Sequence, residues 1–95
     1  MGQYALLFIS GKYKTAEFPL PGEGELLVGR SADLDLVLSE EMVSRKHAKM
    51  TILGASFTLT DLGSTNGTYV NGEKIRRHEL SVGDRVLLGT SIIRV

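Results

Sequence analysis

Three short blocks hold most of the residues able to do chemistry: Gly29-Arg30, then Ser44-Arg45-Lys46-His47, then Gly63-Ser64-Thr65-Asn66-Gly67-Thr68. Together they bring guanidinium groups, hydroxyls, amides and glycine-bounded turns. Arginine offers a planar fork of donors, serine and threonine each offer an O–H, and glycine-rich turns expose backbone N–H groups that can line an anion cavity. That inventory suits an oxyanion, and phosphate is the natural guest.

Catalytic readings of the same residues are poorer. Ser44, His47 and Asp61 nominally supply a nucleophile, a base and an orienting acid, but Ser44 and His47 stand three residues apart in one connection. No Gly-x-Ser-x-Gly elbow surrounds the serine. The stretch from Gly63 to Thr68 lacks the Gly-Lys-Ser/Thr ending that would hold the terminal phosphates of a nucleotide. With no cysteine and only two histidines, a zinc site would depend on carboxylates at uninformative spacing. No catalysis, cofactor or metal is expected. Singly, each block also has a plainer reading: a Gly-Arg after a strand as a turn with a solvated guanidinium, a serine opening a loop as a cap. His47 reads as a hydrogen-bonded structural residue, and His78, in a charged stretch, as surface.

The elements that must position these blocks read as strands. Apolar and β-branched runs recur at Tyr4 to Ile9, Tyr13 to Phe18, Leu26 to Val28, Leu34 to Leu38, Ala48 to Leu53, Ser56 to Leu62, Thr68 to Val70, Arg85 to Leu88 and Ser91 to Val95. Alternation puts Ala48, Met50 and Ile52 on one side and His47, Lys49 and Thr51 on the other, with Phe57 and Leu59 alternating against Thr58 and Thr60. Between the runs lie Pro21-Gly22-Glu23-Gly24, Leu53-Gly54-Ala55, Gly63 to Gly67, Asn71-Gly72 and Val82-Gly83-Asp84, all turn chemistry. Asn71-Gly72 is the sharpest hairpin signal. No sustained helical period, internal repeat or linker is visible, so the expectation is an all-β, two-sheet sandwich.

At 95 residues the length suits one domain, 1–95, and the abrupt end at the strand-like Ser91 to Val95 suggests a piece cut from a longer chain. Lys and Arg total 11 and so do Asp and Glu, which lacks the basic excess of a nucleic-acid binder. Met1 to Ile9 has no basic leader, no stretch is long enough to span a bilayer, and the cysteine-free composition is compatible with a reducing cytoplasm, the expected location. With strand-like residues from about Tyr4, no tail that carries a phosphorylated residue back into the site is expected.

The three blocks, joined by Val70-Asn71-Gly72, resemble in order and spacing the signature of forkhead-associated (FHA) domains. The resemblance runs from about Leu26 to Val95, whereas Gly2 to Phe18 shares only the pattern of two opening strands. It implies an antiparallel β-sandwich of about eleven strands whose loops at one end read phosphothreonine on a partner protein; separately, a monomer is expected. By the same resemblance, Arg30 is the arginine that contacts phosphate or adjacent peptide, Ser44 bonds a phosphate oxygen, and Arg45 and Thr65 make further phosphate contacts. Asn66 is similar to the asparagine that bonds the main chain of the bound peptide. Gly29, His47, Gly67 and Asn71 match positions that shape the loops, His47 by bridging two connections. The competing expectation is a scaffold of the same fold that binds a partner without phosphate. Its mark would be loss of Arg30 or Ser44, and both are present.

Overall fold

The computed structural model describes residues 4–95 and contains eleven strands and no helix. In chain order they are β1 (Ala5–Ser10), β2 (Glu17–Pro19), β3 (Glu23–Gly29), β4 (Leu36–Val37), β5 (Ala48–Leu53), β6 (Ser56–Asp61), β7 (Thr68–Val70), β8 (Glu73–Ile75), β9 (Arg77–Glu79), β10 (Arg85–Leu88) and β11 (Ser91–Arg94). One sheet runs β2-β1-β11-β10-β7-β8 and the other β4-β3-β5-β6-β9. Pairing is antiparallel except for a two-residue parallel ladder in which Val28 faces Leu36 and Gly29 faces Val37. The expected signals from the first three residues, the Met1 end of the apolar run and the short tail, lie outside the described residues.

Alternation builds the core. In β5 the buried side chains are Ala48, Met50 and Ile52, and in β6 they are Phe57 and Leu59. The opposing sheet contributes Leu6 and Phe8 from β1, Val70 from β7, Val86 and Leu88 from β10 and Ile93 from β11. Each of these side chains larger than alanine contributes about 1.5–3 kcal/mol by leaving water. Tyr4 packs on Phe57 with ring centroids 4.9 Å apart, closing the sandwich near the start of the chain.

Four sequence expectations need correction. Tyr13 to Phe18 is a strand only from Glu17, because Gly11 to Thr15 turns back on itself through bonds such as Lys14 N–H to the Gly11 carbonyl. Glu23 and Gly24 belong to β3 rather than to a turn, held there by pairing opposite Leu53 and Ile52. β8 and β9 escaped notice because Glu73-Lys74-Ile75 and Arg77-His78-Glu79 are charged and lack an apolar alternation. Each lies at the edge of its sheet, where charge discourages pairing with another chain. His78 is not simply surface: it is half-buried in β9, and its Nε2 lies 3.7 Å from Asp84.

The register sets five connections at one end of the sandwich. Val28 faces Ala48, Ala48 faces Asp61, Leu88 faces both Thr68 and Ser91, and Ser10 faces Ile92. The β1–β2, β3–β4, β4–β5, β6–β7 and β10–β11 connections therefore all emerge together, and all three chemical blocks lie among them.

Candidate functional site

Gly29 ends β3, and the β4–β5 loop crosses directly over it. A Cβ on Gly29 would stand 2.1 Å from the Arg45 carbonyl oxygen, so only glycine permits this crossing. The approach is sealed on both sides: Arg30 N–H donates to the Ser44 carbonyl at 3.0 Å and Ser31 N–H to the Arg45 carbonyl at 3.3 Å. Arg30 Nε–H donates to the Val43 carbonyl at 3.0 Å, which fixes the guanidinium plane beside Ser44. Among the described residues its terminal nitrogens meet no acceptor, and they are free to take an anion.

Ser44 is half-buried, and its Oγ accepts the Thr65 N–H at 3.0 Å. With a lone pair thus engaged, the hydroxyl proton is left to point outward as a donor. Arg45 and Thr65 are exposed, and the Arg45 N–H donates to no acceptor among the described residues. The structure therefore brings Arg30, Ser44, Arg45 and Thr65 to one mouth formed by three loops. Donors outnumber acceptors there.

His47 lies beneath this mouth, fully buried. The alternation of β5 had placed it with the outward Lys49 and Thr51. It precedes the first ladder pair of β5 with β6, however, and turns inward under the loops. Its Nδ1 accepts the Ser44 N–H at 3.1 Å and its Nε2 lies 2.8 Å from the Gly67 carbonyl, an arrangement that puts the ring proton on Nε2. The ring bridges the β4–β5 and β6–β7 loops, and neither nitrogen reaches the Ser44 hydroxyl or Asp61. Ser44, His47 and Asp61 consequently do not form a charge-relay set.

Asn66 is more occupied than the resemblance implies. Its Nδ2 donates to the Met42 carbonyl at 2.9 Å, lashing the β6–β7 loop to the β4–β5 loop. Among the described residues its Oδ1 accepts no bond. Asn71 stands elsewhere. Four residues beyond Gly67, it lies about 13 Å away along an extended strand, at the opposite end of β7. There its Oδ1 accepts the Arg85 N–H at 3.0 Å and its Nδ2 donates to Asp84 at 3.1 Å. Asn71 therefore shapes the far turn and not the anion-facing loops. With φ of 52° at Asn71 and 88° at Gly72, that turn has the left-handed pair required of a two-residue hairpin.

Two residues that sequence reasoning missed as organisers are carboxylates. Asp61 accepts from the Ser64 and Thr68 hydroxyls on Oδ1 and from the Gly63 and Ser64 N–H groups on Oδ2. Ser64 Oγ in turn accepts the Gly67 N–H. Burial works against the Asp61 charge, but these four bonds outweigh it and hold the carboxyl below its usual range. The spacing Asp61-x-Gly63-Ser64 is the signal that could have revealed this turn.

Glu40, in the β4–β5 loop, accepts from the Thr90 N–H at 2.9 Å, the Thr90 hydroxyl at 2.6 Å and the buried Ser91 hydroxyl. Here too burial opposes the charge, and the Ser91 and Thr90 bonds prevail, lowering the pKa. The loop carrying Ser44 is thus clamped to the β10–β11 turn. Its start is propped from the other sheet by Ser39 N–H to the Tyr13 hydroxyl at 2.7 Å and Lys12 Nζ to the Ser39 carbonyl at 3.1 Å. No buried side-chain polar atom among the described residues lacks a partner.

Among the described residues no cluster suited to a metal ion occurs, and no helix is long and apolar enough to cross a membrane. The FHA domain pattern matches residues 26–89. The chain is 44% identical over 61 residues to the glycogen accumulation regulator GarA of Mycolicibacterium smegmatis, a match spanning 64% of this chain and 39% of that protein. A structure from work on phosphothreonine-dependent FHA domain interactions superposes with a TM-score of 0.88 at 34% identity, covering 97% of this chain and 93% of its own. The FhaA FHA domain, solved in complex with the intracellular domain of Rv3910, gives a TM-score of 0.86 at 34% identity over 95% and 96% of the two chains. The chain spans less than half the length of the curated relatives it matches.

Proposed function

The chain belongs to the FHA domain family, and from that premise we propose that it binds phosphothreonine on a partner protein through the mouth formed by Arg30, Ser44, Arg45 and Thr65. The observation that carries this reading is the backbone lock over Gly29. It sets a guanidinium with free terminal nitrogens beside a hydroxyl that already accepts one backbone N–H and keeps its proton to donate. A phosphothreonine brings about −1.5 to −2 charges and three acceptor oxygens near neutral pH. Charge-assisted bonds to such a group are each worth about 1.5–3 kcal/mol. Two to four of them, less the cost of immobilising a flexible peptide, correspond to an affinity of order micromolar, suited to reversible signalling.

In this reading Arg30 meets the charge and Ser44 and Thr65 donate single O–H bonds. The Arg45 N–H completes the cavity, and Asn66 Oδ1 takes the peptide main chain. His47, Gly29 and Gly67 hold the loops. The cysteine-free composition suits the reducing cytoplasm, where we place this activity. The relatives' regulatory names support a role in signalling and not in catalysis.

Calorimetry with matched phosphorylated and unphosphorylated threonine peptides tests the reading. Arg30→Ala and Ser44→Ala should each weaken phosphopeptide binding by about 10- to 150-fold, the equivalent of one charge-assisted bond. Both should keep a cooperative melt, since Arg30 is exposed and Ser44 only half-buried. A folded variant that bound as tightly as the parent would replace this proposal with a phosphate-independent scaffold.

A further inference from the structure

The outer face of the six-stranded sheet carries a second feature that the phosphate site does not use. Tyr69, Leu87 and Ile92 stand side by side across β7, β10 and β11, through the pairs Leu87 with Tyr69 and Leu87 with Ile92. With Asn71, Gly72 and Arg85 they line a depression of about 740 Å³. Beside it, Arg85 and Arg94 are direct cross-strand partners. Like charges opposite one another on a ladder are destabilising, and among the described residues neither arginine has an acidic partner. Lys74, cross-strand from Tyr69, adds a third unpaired cation to the rim. An apolar hollow bordered by an uncompensated arginine pair breaks a local rule with no structural return, the pattern expected where a surface serves a ligand.

We propose that this face is a second binding surface, for a segment of a partner protein that presents apolar side chains flanked by aspartate or glutamate. Three observations select that occupant. The rim is basic, so an acidic segment complements it and a second copy of the same face would repel. The surface is hollow, which suits protruding side chains better than a flat lipid bilayer. It also adjoins the recognition loops: a Cβ on Gly67 would come within 3.1 Å of both the Tyr69 ring and the Lys74 stem. A partner held by both surfaces would gain avidity from one tether. The proposal does not rest on the phosphate reading, because the probe carries no phosphate.

Short unphosphorylated random peptides displayed on phage and selected on the folded chain should converge on acidic residues bracketing apolar ones. The winning peptide, made synthetically, should bind Leu87→Glu and Arg94→Thr at least about tenfold more weakly. Arg94→Thr should melt no lower than the parent, because the like-charge pair is gone. A residue kept only for structure would not lose binding while stability held or rose. The proposal is overturned if no such consensus emerges, or if the peptide binds both variants undiminished. It also fails if a phosphothreonine peptide displaces the winner, which would assign the winner to the loops. Binding of phosphatidylserine vesicles with the same sensitivity to the two variants would overturn the choice of a protein partner.

Discussion

Gly29→Ala tests the feature on which the whole site geometry depends. The added methyl would lie 2.1 Å from the Arg45 carbonyl oxygen, 2.8 Å from its carbonyl carbon and 2.9 Å from Leu34 Cδ1. The leucine methyl can rotate away, but the carbonyl is main chain, and an ordinary contact of about 3.5 Å requires the loop to retreat by about 1.4 Å. Such a shift stretches the Arg30–Ser44 and Ser31–Arg45 bonds, now 3.0 and 3.3 Å, beyond hydrogen-bond range. Two bonds at about 0.5–1.5 kcal/mol each, with about 1–3 kcal/mol of overpacking, sum to roughly 2–6 kcal/mol. That is a large part of the stability of a small domain. Ser44 moves with the loop, so phosphopeptide affinity should fall at least about tenfold, measured well below the melting transition. Urea denaturation gives the first number and calorimetry the second. An unchanged urea midpoint would refute the close crossing, and a destabilised protein with full affinity would refute the claim that the crossing places Ser44.

Two further predictions follow from the turn and the carboxylates. Gly72→Val puts a β-branched residue at φ 88° in open space, so it should cost about 1–3 kcal/mol through backbone strain alone. Because the turn lies at the far end of β7, phosphopeptide affinity at low temperature should stay within about twofold of the parent, and a larger loss would show the turn coupled to the loops. The folded carboxyls of Asp61 and Glu40 bind protons less readily than they do in the unfolded chain. Their stabilisation is therefore complete above the ordinary carboxylate range and drains as pH falls from about 4 through the lowered folded values. Asp61→Asn and Glu40→Gln should each flatten that acid limb in melts taken across the range. A variant as acid-sensitive as the parent would exclude its carboxylate from the effect.

Legibility followed periodicity. Ala48 to Leu53 and Ser56 to Leu62 were readable because one face of each strand is apolar, and Asn71-Gly72 because only a few residue types accept two successive left-handed dihedrals. The three polar blocks were readable because their residue types suit one kind of guest. Bonds with no local pattern stayed hidden: Glu40 reaches Thr90 fifty positions away, and Asn66 reaches Met42 across two strands. His47 was misplaced because a two-residue period cannot mark where a strand stops. The arginine pair on the outer sheet face was equally invisible, since Arg85 and Arg94 become neighbours only once the β10–β11 register is set.

These hidden bonds also account for how loops can bind without collapsing around a ligand. Arg30 is held through the Ser44 and Val43 carbonyls, Ser44 through Thr65, Thr65's loop through His47 and Asn66, and the β4–β5 loop through Glu40 to Thr90. The chain of contacts passes from one sheet to the other and back, so each loop is fixed by its neighbours as much as by the strand that carries it. Donors placed in this way lose little freedom when a phosphate arrives, and most of the ordering cost falls on the peptide. A single cut in that chain should consequently cost affinity in proportion to how many downstream bonds it releases. By that measure His47, which holds both Ser44 and Gly67, matters more to the placing of the loops than the Asn66 amide nitrogen, which holds Met42 alone, whereas the Asn66 oxygen contributes through its own contact with the peptide.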